Sequence, residues 1–229
     1  MHPHAETLWR GPRWTLAILL AVLGMLGPFS IDTYLPAFSG IASSLNASPV
    51  HMQQTLSAYL FGFAFMNLFH GALADSFGRR PVILWGLMAF TLASLGCALA
   101  QNVTQLIVFR AMQGLSCGAG VVVSRAIVRD IFPPTQAQKV MSQITIFFGL
   151  APAIAPIMGG WLFVSLGWHS IFWLLTAIGL ALWAVNFKML PESLHASQRQ
   201  PFSIPHLMRG YWQLCTDPRF LLLALASGI

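Results

Sequence analysis

Long apolar runs of near-constant length, separated by short polar turns, set the pattern of this chain. A helix needs about 20 apolar residues to cross the hydrocarbon core of a bilayer. By that length the runs predict spans at 14–36, 53–73, 82–100, 105–128, 140–164 and 170–190, and a seventh run occupies 219–229. Pro36 and the 43–48 serine cluster close the first span, 75–81 forms a polar turn, Pro133-Pro134 breaks the chain after span four, and Pro191 closes span six. The expected architecture is an all-α integral membrane protein, a six-helix bundle over 14–190. It is preceded by a short segment, 1–13, and followed by a polar linker, 191–218, and the opening of a further helix at 219–229. The first run is too long for a signal h-region and has five spans behind it, so it is expected to be retained.

Composition makes lipid the solvent. Hydrophobic residues are 56% of the 229 and charged residues 8%, with a mean hydropathy of +0.70. Soluble domains carry about 25% charged residues. The net charge of +6 raises the question of nucleic acid, but the basic residues form no patch interleaved with aromatics. Their placement has a topological reading instead. With the N-terminus in the cytoplasm, the outward loops 37–52, 101–104 and 165–169 contain no Lys or Arg. The inner side then holds Arg10, Arg13, Arg79, Arg80, Arg125, Arg129, Lys139, Lys188, Arg199, Arg209 and Arg219, which is all of the 12 basic residues except Arg110. Cys97, Cys117 and Cys215 have no metal-ligand spacing and read as reduced packing residues. No metal or organic cofactor is expected. The tripeptides at Asn46 and Asn102 match the glycosylation pattern on the outer side, where ordinary turn chemistry also accounts for them.

Chemistry concentrates at a few positions. Span two ends in Gly71, Leu73, Asp75, Gly78, Arg79, Arg80 and Pro81, a tight inner turn in which Asp75 and Arg79 stand at ion-pairing distance if helical. Arg125, Arg129 and Asp130 lie at the inner end of span four, where Arg129 and Asp130 extend this into a charge network with Asp75 and Arg79, or serve simply as topogenic charge. Arg110 lies inside span four; such an arginine faces a cavity or a carboxylate, or snorkels to the boundary. Gly114 and Gly118 below it form a small-xxx-small pair for close helix packing. Asp32 is the one acid inside a predicted span, at a depth similar to Arg110. A carboxylate there can switch protonation as a cavity opens and closes, or cap the next segment. Span five carries Pro152, Pro156, Gly159 and Gly160 among small residues, which kink a helix and let it pack tightly.

The 71–80 turn resembles the signature loop of the major facilitator superfamily, Gly-x-Leu-x-Asp-x-x-Gly-Arg-Arg/Lys, with every fixed position matched. The resemblance implies a conformational latch at this turn, with Asp75 near a helix N-terminus in a second six-helix half. It also implies a proton-coupling role for Arg110 and an antiporter motif at Pro156, Gly159 and Gly160, where Ala155 stands in place of the usual glycine. With 28–36 included, nearly the whole chain is similar to the Bcr/CflA drug:proton antiporters, identified here as the N-terminal half of one. That predicts export of a small lipophilic drug across a bacterial inner membrane, driven by the proton gradient. Spans one to three and four to six would then form an inverted repeat. Tyr34, Tyr59, Phe63, Phe147 and Phe148 are candidate cavity liners. An importer of the same superfamily is the alternative. A membrane enzyme is disfavoured because His70 and His169 sit singly at span ends, without paired catalytic acids.

Overall fold

Each helix starts and stops at a residue with a local reason for being there. The computed structural model describes residues 13–228, and those residues form helices and turns with no strand; residues 1–12 and Ile229, both within predicted segments, lie outside them. Helix α1 (Arg13–Asp32) passes through Pro28 and ends in a 3-10 turn, Leu35–Ala37, from which α2 (Phe38–Ser44) continues. Pro36 therefore does not end the span as the sequence reading had it. It opens a new helical turn, where its missing N–H is no loss, and the first span runs Trp14–Ser44.

Ser48 starts α3 (Pro49–Phe77) by accepting from the His51 N–H at 3.2 Å, and Asn102 starts α5 (Val103–Ile131) by accepting from Gln105 N–H at 2.9 Å. These are ordinary N-caps. Between them lies α4 (Arg79–Ala98), separated from α3 by Gly78 alone. That glycine has φ 103°, a conformation open to glycine and strained for other residues. Helix α6 (Pro134–Leu166) runs unbroken through Pro152 and Pro156, and α7 (His169–Met189) completes the bundle. Six of these helices are long and apolar enough to cross a membrane.

The packing order is an inverted repeat in outline. The tightest partnerships are α3 with α5, α4 with α5, α4 with α7, α1 with α6, and α1 with α5. Exchange α1, α3 and α4 for α5, α6 and α7, and the α3–α5 pair becomes α6–α1, while α4–α7 and α1–α5 map onto themselves. Three spans entered from one face and three from the other would give such a relation. The α4–α5 pair breaks it, since α7 and α1 meet only slightly.

The linker folds more than its polarity suggested. Ile204, Leu207, Tyr211 and Leu214 recur at helical spacing, and α8 (Ile204–Thr216) forms there. Its Tyr211 hydroxyl donates to the Leu68 carbonyl of α3. Helix α9 (Pro218–Gly228) follows.

Candidate transport site and gate network

Arg110 is fully buried on α5, about 10 Å in from the first residue of that helix. Its guanidinium lies 4.5 Å from the Tyr34 ring centroid and 4.2 Å from that of Tyr59, a cation held between two π faces. One nitrogen, Nη1, donates to Gln113 Oε1 at 2.6 Å. Gln113 passes the chain on through Nε2 to Ser94 Oγ (2.7 Å), which donates to the Phe90 carbonyl (2.7 Å). The tyrosines are pinned as well. Thr55 Oγ1 gives its proton to the Met52 carbonyl, so the 2.6 Å contact between Tyr34 and Thr55 hydroxyls has the tyrosine as donor. The Tyr59 hydroxyl donates to the Gly27 carbonyl at 2.9 Å and accepts from Ser30 at 2.7 Å.

Arg110 thus has its charge solvated by aromatic faces and an amide, with Nε and Nη2 making no hydrogen bond. Asp32 is not ion-paired with it here; the carboxylate is half-buried at the end of α1, two residues before the tyrosine that touches the guanidinium. Tyr34 and Tyr59, proposed from sequence as cavity liners, are both fully buried against Arg110. Phe63, Phe147 and Phe148 are each half-buried.

The close approach that builds this pocket depends on glycine. A Cβ on Gly114 would sit 2.1 Å from the Tyr59 carbonyl oxygen, and one on Gly159 would sit 2.0 Å from that of Thr33. These two contacts bring α3 against α5 and α6 against the turn that follows α1. Gly118 receives the Asn67 side chain, whereas Gly160 makes only ordinary contact with Pro36; Pro152 is exposed and Pro156 half-buried.

A second cluster lies at the 78 turn. Arg79 bridges two carboxylates, with Nη1 on Asp75 Oδ1 at 2.5 Å and Nε on Asp130 Oδ2 at 3.0 Å. Arg129 points outward and pairs with neither. Glu192, which the sequence reading left unassigned in the linker, does the most. Its Oε1 accepts from Arg79 N–H (2.9 Å) and its Oε2 from Arg80 N–H (3.2 Å), so a carboxylate caps the positive end of α4. Ser193 donates to Asp130 at 3.0 Å, Gln200 N–H donates to the Asp75 carbonyl at 3.1 Å, and Arg80 reaches across to the Phe187 carbonyl and ring. Gly71 and Leu73 are half-buried on α3 in the approach to this turn. The only sequence hint of Glu192 was an acid directly after Pro191, on the face where parity also puts the 78 turn.

Known proteins are similar to this chain. A bicyclomycin resistance protein homolog of Haemophilus influenzae is 40% identical over 194 residues, covering 85% of this chain and 49% of its own length. An uncharacterized MFS-type transporter of Bacillus subtilis, YdgK, is 39% identical, covering 94% and 54%, and the multidrug resistance protein MdtL of Escherichia coli is 36% identical, covering 76% and 45%. The chain spans about half the length of the curated relatives it matches. Among solved structures, a peptide transporter crystallised with alafosfalin aligns over 97% of this chain and 49% of its own, with a TM-score of 0.70 at 16% identity. The human organic anion transporter MFSD10 aligns over 86% and 53% at 0.65, with 22% identity. These two share the fold. The description "Major Facilitator Superfamily" matches residues 10–229, and with six spans, the inverted packing and the 71–80 loop in place, the chain belongs to that superfamily of transporters.

Proposed function

We propose that this chain is the N-terminal half of a drug:proton antiporter of the Bcr/CflA type, exporting a small lipophilic compound across a bacterial inner membrane. The observation that carries the reading is Arg110, a buried cation with two unused donors and no carboxylate partner among the described residues. Burying such a charge costs several kcal/mol, which its aromatic and amide contacts at best offset, so stability alone does not account for the arginine. The names of the Haemophilus and Escherichia relatives, which concern bicyclomycin and multidrug resistance, support drug as the cargo.

In the proposed cycle a proton entering from outside binds the Asp32 carboxylate. Deprotonated Asp32 is drawn to the free Nε and Nη2 of Arg110; once protonated it is neutral and released. Drug and proton then favour different cavity states, and each shifts the equilibrium only by its difference in affinity for them. A second six-helix half closes the cavity. The exposed part of the Asp75 carboxylate meets a helix N-terminus there, so the 78 turn latches one state. The N-terminus and the 78 turn face the cytoplasm.

Accumulation of chloramphenicol in cells expressing the whole transporter tests this, with and without an uncoupler. Lower accumulation that disappears on uncoupling is expected, and Asp32→Asn abolishes it while the protein still reaches the membrane. Undiminished efflux by Asp32→Asn removes Asp32 from the cycle; accumulation above that of control cells favours an importer.

A further inference from the structure

Arg110 is steadied by a neutral group where an acid of the same shape would fit. Gln113 lies three residues further along α5, fully buried, and its Oε1 accepts from the guanidinium at 2.6 Å. The direction of the amide is fixed at both ends. A guanidinium can only donate, so Oε1 faces Arg110 and Nε2 faces away. Nε2 then meets Ser94 Oγ on α4 at 2.7 Å. Ser94, fully buried too, gives its own proton to the Phe90 carbonyl and therefore presents a lone pair to the amide. The chain has one orientation and ends on the backbone of α4.

Nothing in that chain carries a negative charge. The titratable side chains around the guanidinium are Tyr34 after α1, Tyr59 on α3, Cys97 on α4 and Cys117 on α5. Phenols and thiols are neutral at pH 7. A glutamate at 113 would match glutamine in size and make the stronger, charge-assisted bond. It would also hold the cation in a permanent pair. Gln113 instead fixes Arg110 by Nη1 and leaves Nε and Nη2 unmet.

We infer that Ser94 is a positioning residue for Arg110. Acting through Gln113, it anchors the guanidinium with a neutral acceptor, so that Nε and Nη2 stay available to a carboxylate that comes and goes. This rests on the reading of Arg110 as the coupling cation with Asp32 as its carboxylate, and it holds for either direction of transport and any cargo. Without the Ser94 hydroxyl, Gln113 Nε2 is a buried donor with no acceptor, and the amide turns away from Arg110 to find one. A nearby cation favours the charged form of a carboxylate. Asp32 facing a displaced or already paired Arg110 therefore keeps its proton to higher pH.

Dicyclohexylcarbodiimide, which couples to protonated carboxyls in apolar surroundings, reads this without any transport. Labelling of the Asp32 peptide is followed by mass spectrometry against pH, on the whole transporter in lipid nanodiscs, with Asp32→Asn as the blank. Ser94→Ala and Gln113→Glu should each raise the midpoint pH of labelling by about one unit, tenfold in the pairing equilibrium. Ser94→Thr, whose hydroxyl still accepts, should leave it in place. The unfolding midpoint should fall in Ser94→Ala and rise in Gln113→Glu, so a shift of labelling in the same direction is not a by-product of stability. An unchanged labelling midpoint in Ser94→Ala, or an equal shift in Ser94→Thr, overturns the inference. Ser94→Cys, a weak acceptor, takes over if Ser94→Ala does not fold, and no shift there overturns it as well. Arg110→Leu separates the two levels. A raised midpoint in Arg110→Leu without one in Ser94→Ala sinks the role of Ser94 alone, whereas no shift in Arg110→Leu sinks the pairing of Asp32 with Arg110 and this inference with it.

Discussion

Arg110 presents a balance whose sign can be measured. Desolvating a guanidinium costs several kcal/mol in a protein interior, while two cation–π contacts of up to about 2 kcal/mol each and one charged hydrogen bond of about 1.5–3 kcal/mol offset it. With two donors unmet, the balance stands near zero or against the arginine. Arg110→Leu is therefore expected to leave the unfolding midpoint in detergent unchanged or raised while transport is lost; a clearly lowered midpoint would make Arg110 a structural residue. Gly114 lies at the other extreme. A side chain there must push the Tyr59 backbone away, and Gly114→Leu should destabilise the bundle by about 2 kcal/mol or more. Thermal unfolding of the purified chain measures it, and a midpoint within error of the parent would show that α3 yields freely.

Helix α4 starts without a side-chain cap of its own, because Gly78 precedes it. Glu192 fills that role from more than a hundred residues away, accepting the first two N–H groups of α4. Capping plus the favourable dipole contributes about 1 kcal/mol. Glu192→Ala should lower the melting midpoint measurably and Glu192→Gln less, since an amide oxygen still accepts. If both variants melt like the parent, the linker carboxylate is an incidental neighbour of the turn. The same contact gives Gly78 a second reason to be glycine. Besides its positive φ, a Cβ there would lie 2.5 Å from Glu192 Oε2.

Across the whole molecule, the free cysteines report on topology without added labels. Cys97 and Cys117 are buried and Cys215 is exposed at the end of α8. The linker that carries Cys215 is bonded to the 78 turn through Gln200 and Glu192, so both occupy one face. A membrane-impermeant maleimide should label a single site per chain, Cys215, in inverted vesicles and leave intact cells unlabelled. Labelling in intact cells would reverse the proposed orientation.

Span number, the polar turns and the all-α class were readable from residue order, because a bilayer demands a fixed length of apolar helix whatever its neighbours are. The pairing of Arg79 with Asp75 was readable too, being set by four-residue spacing within one turn. Helix neighbours were not. The grip of Tyr34 and Tyr59 on Arg110, the step from Gln113 to Ser94, and the Glu192 cap on α4 all join residues on different elements of the chain. Apolar helices look alike to one another in sequence, and their order in the bundle depends on where glycines let backbones touch. Those contacts come into being only when the helices pack.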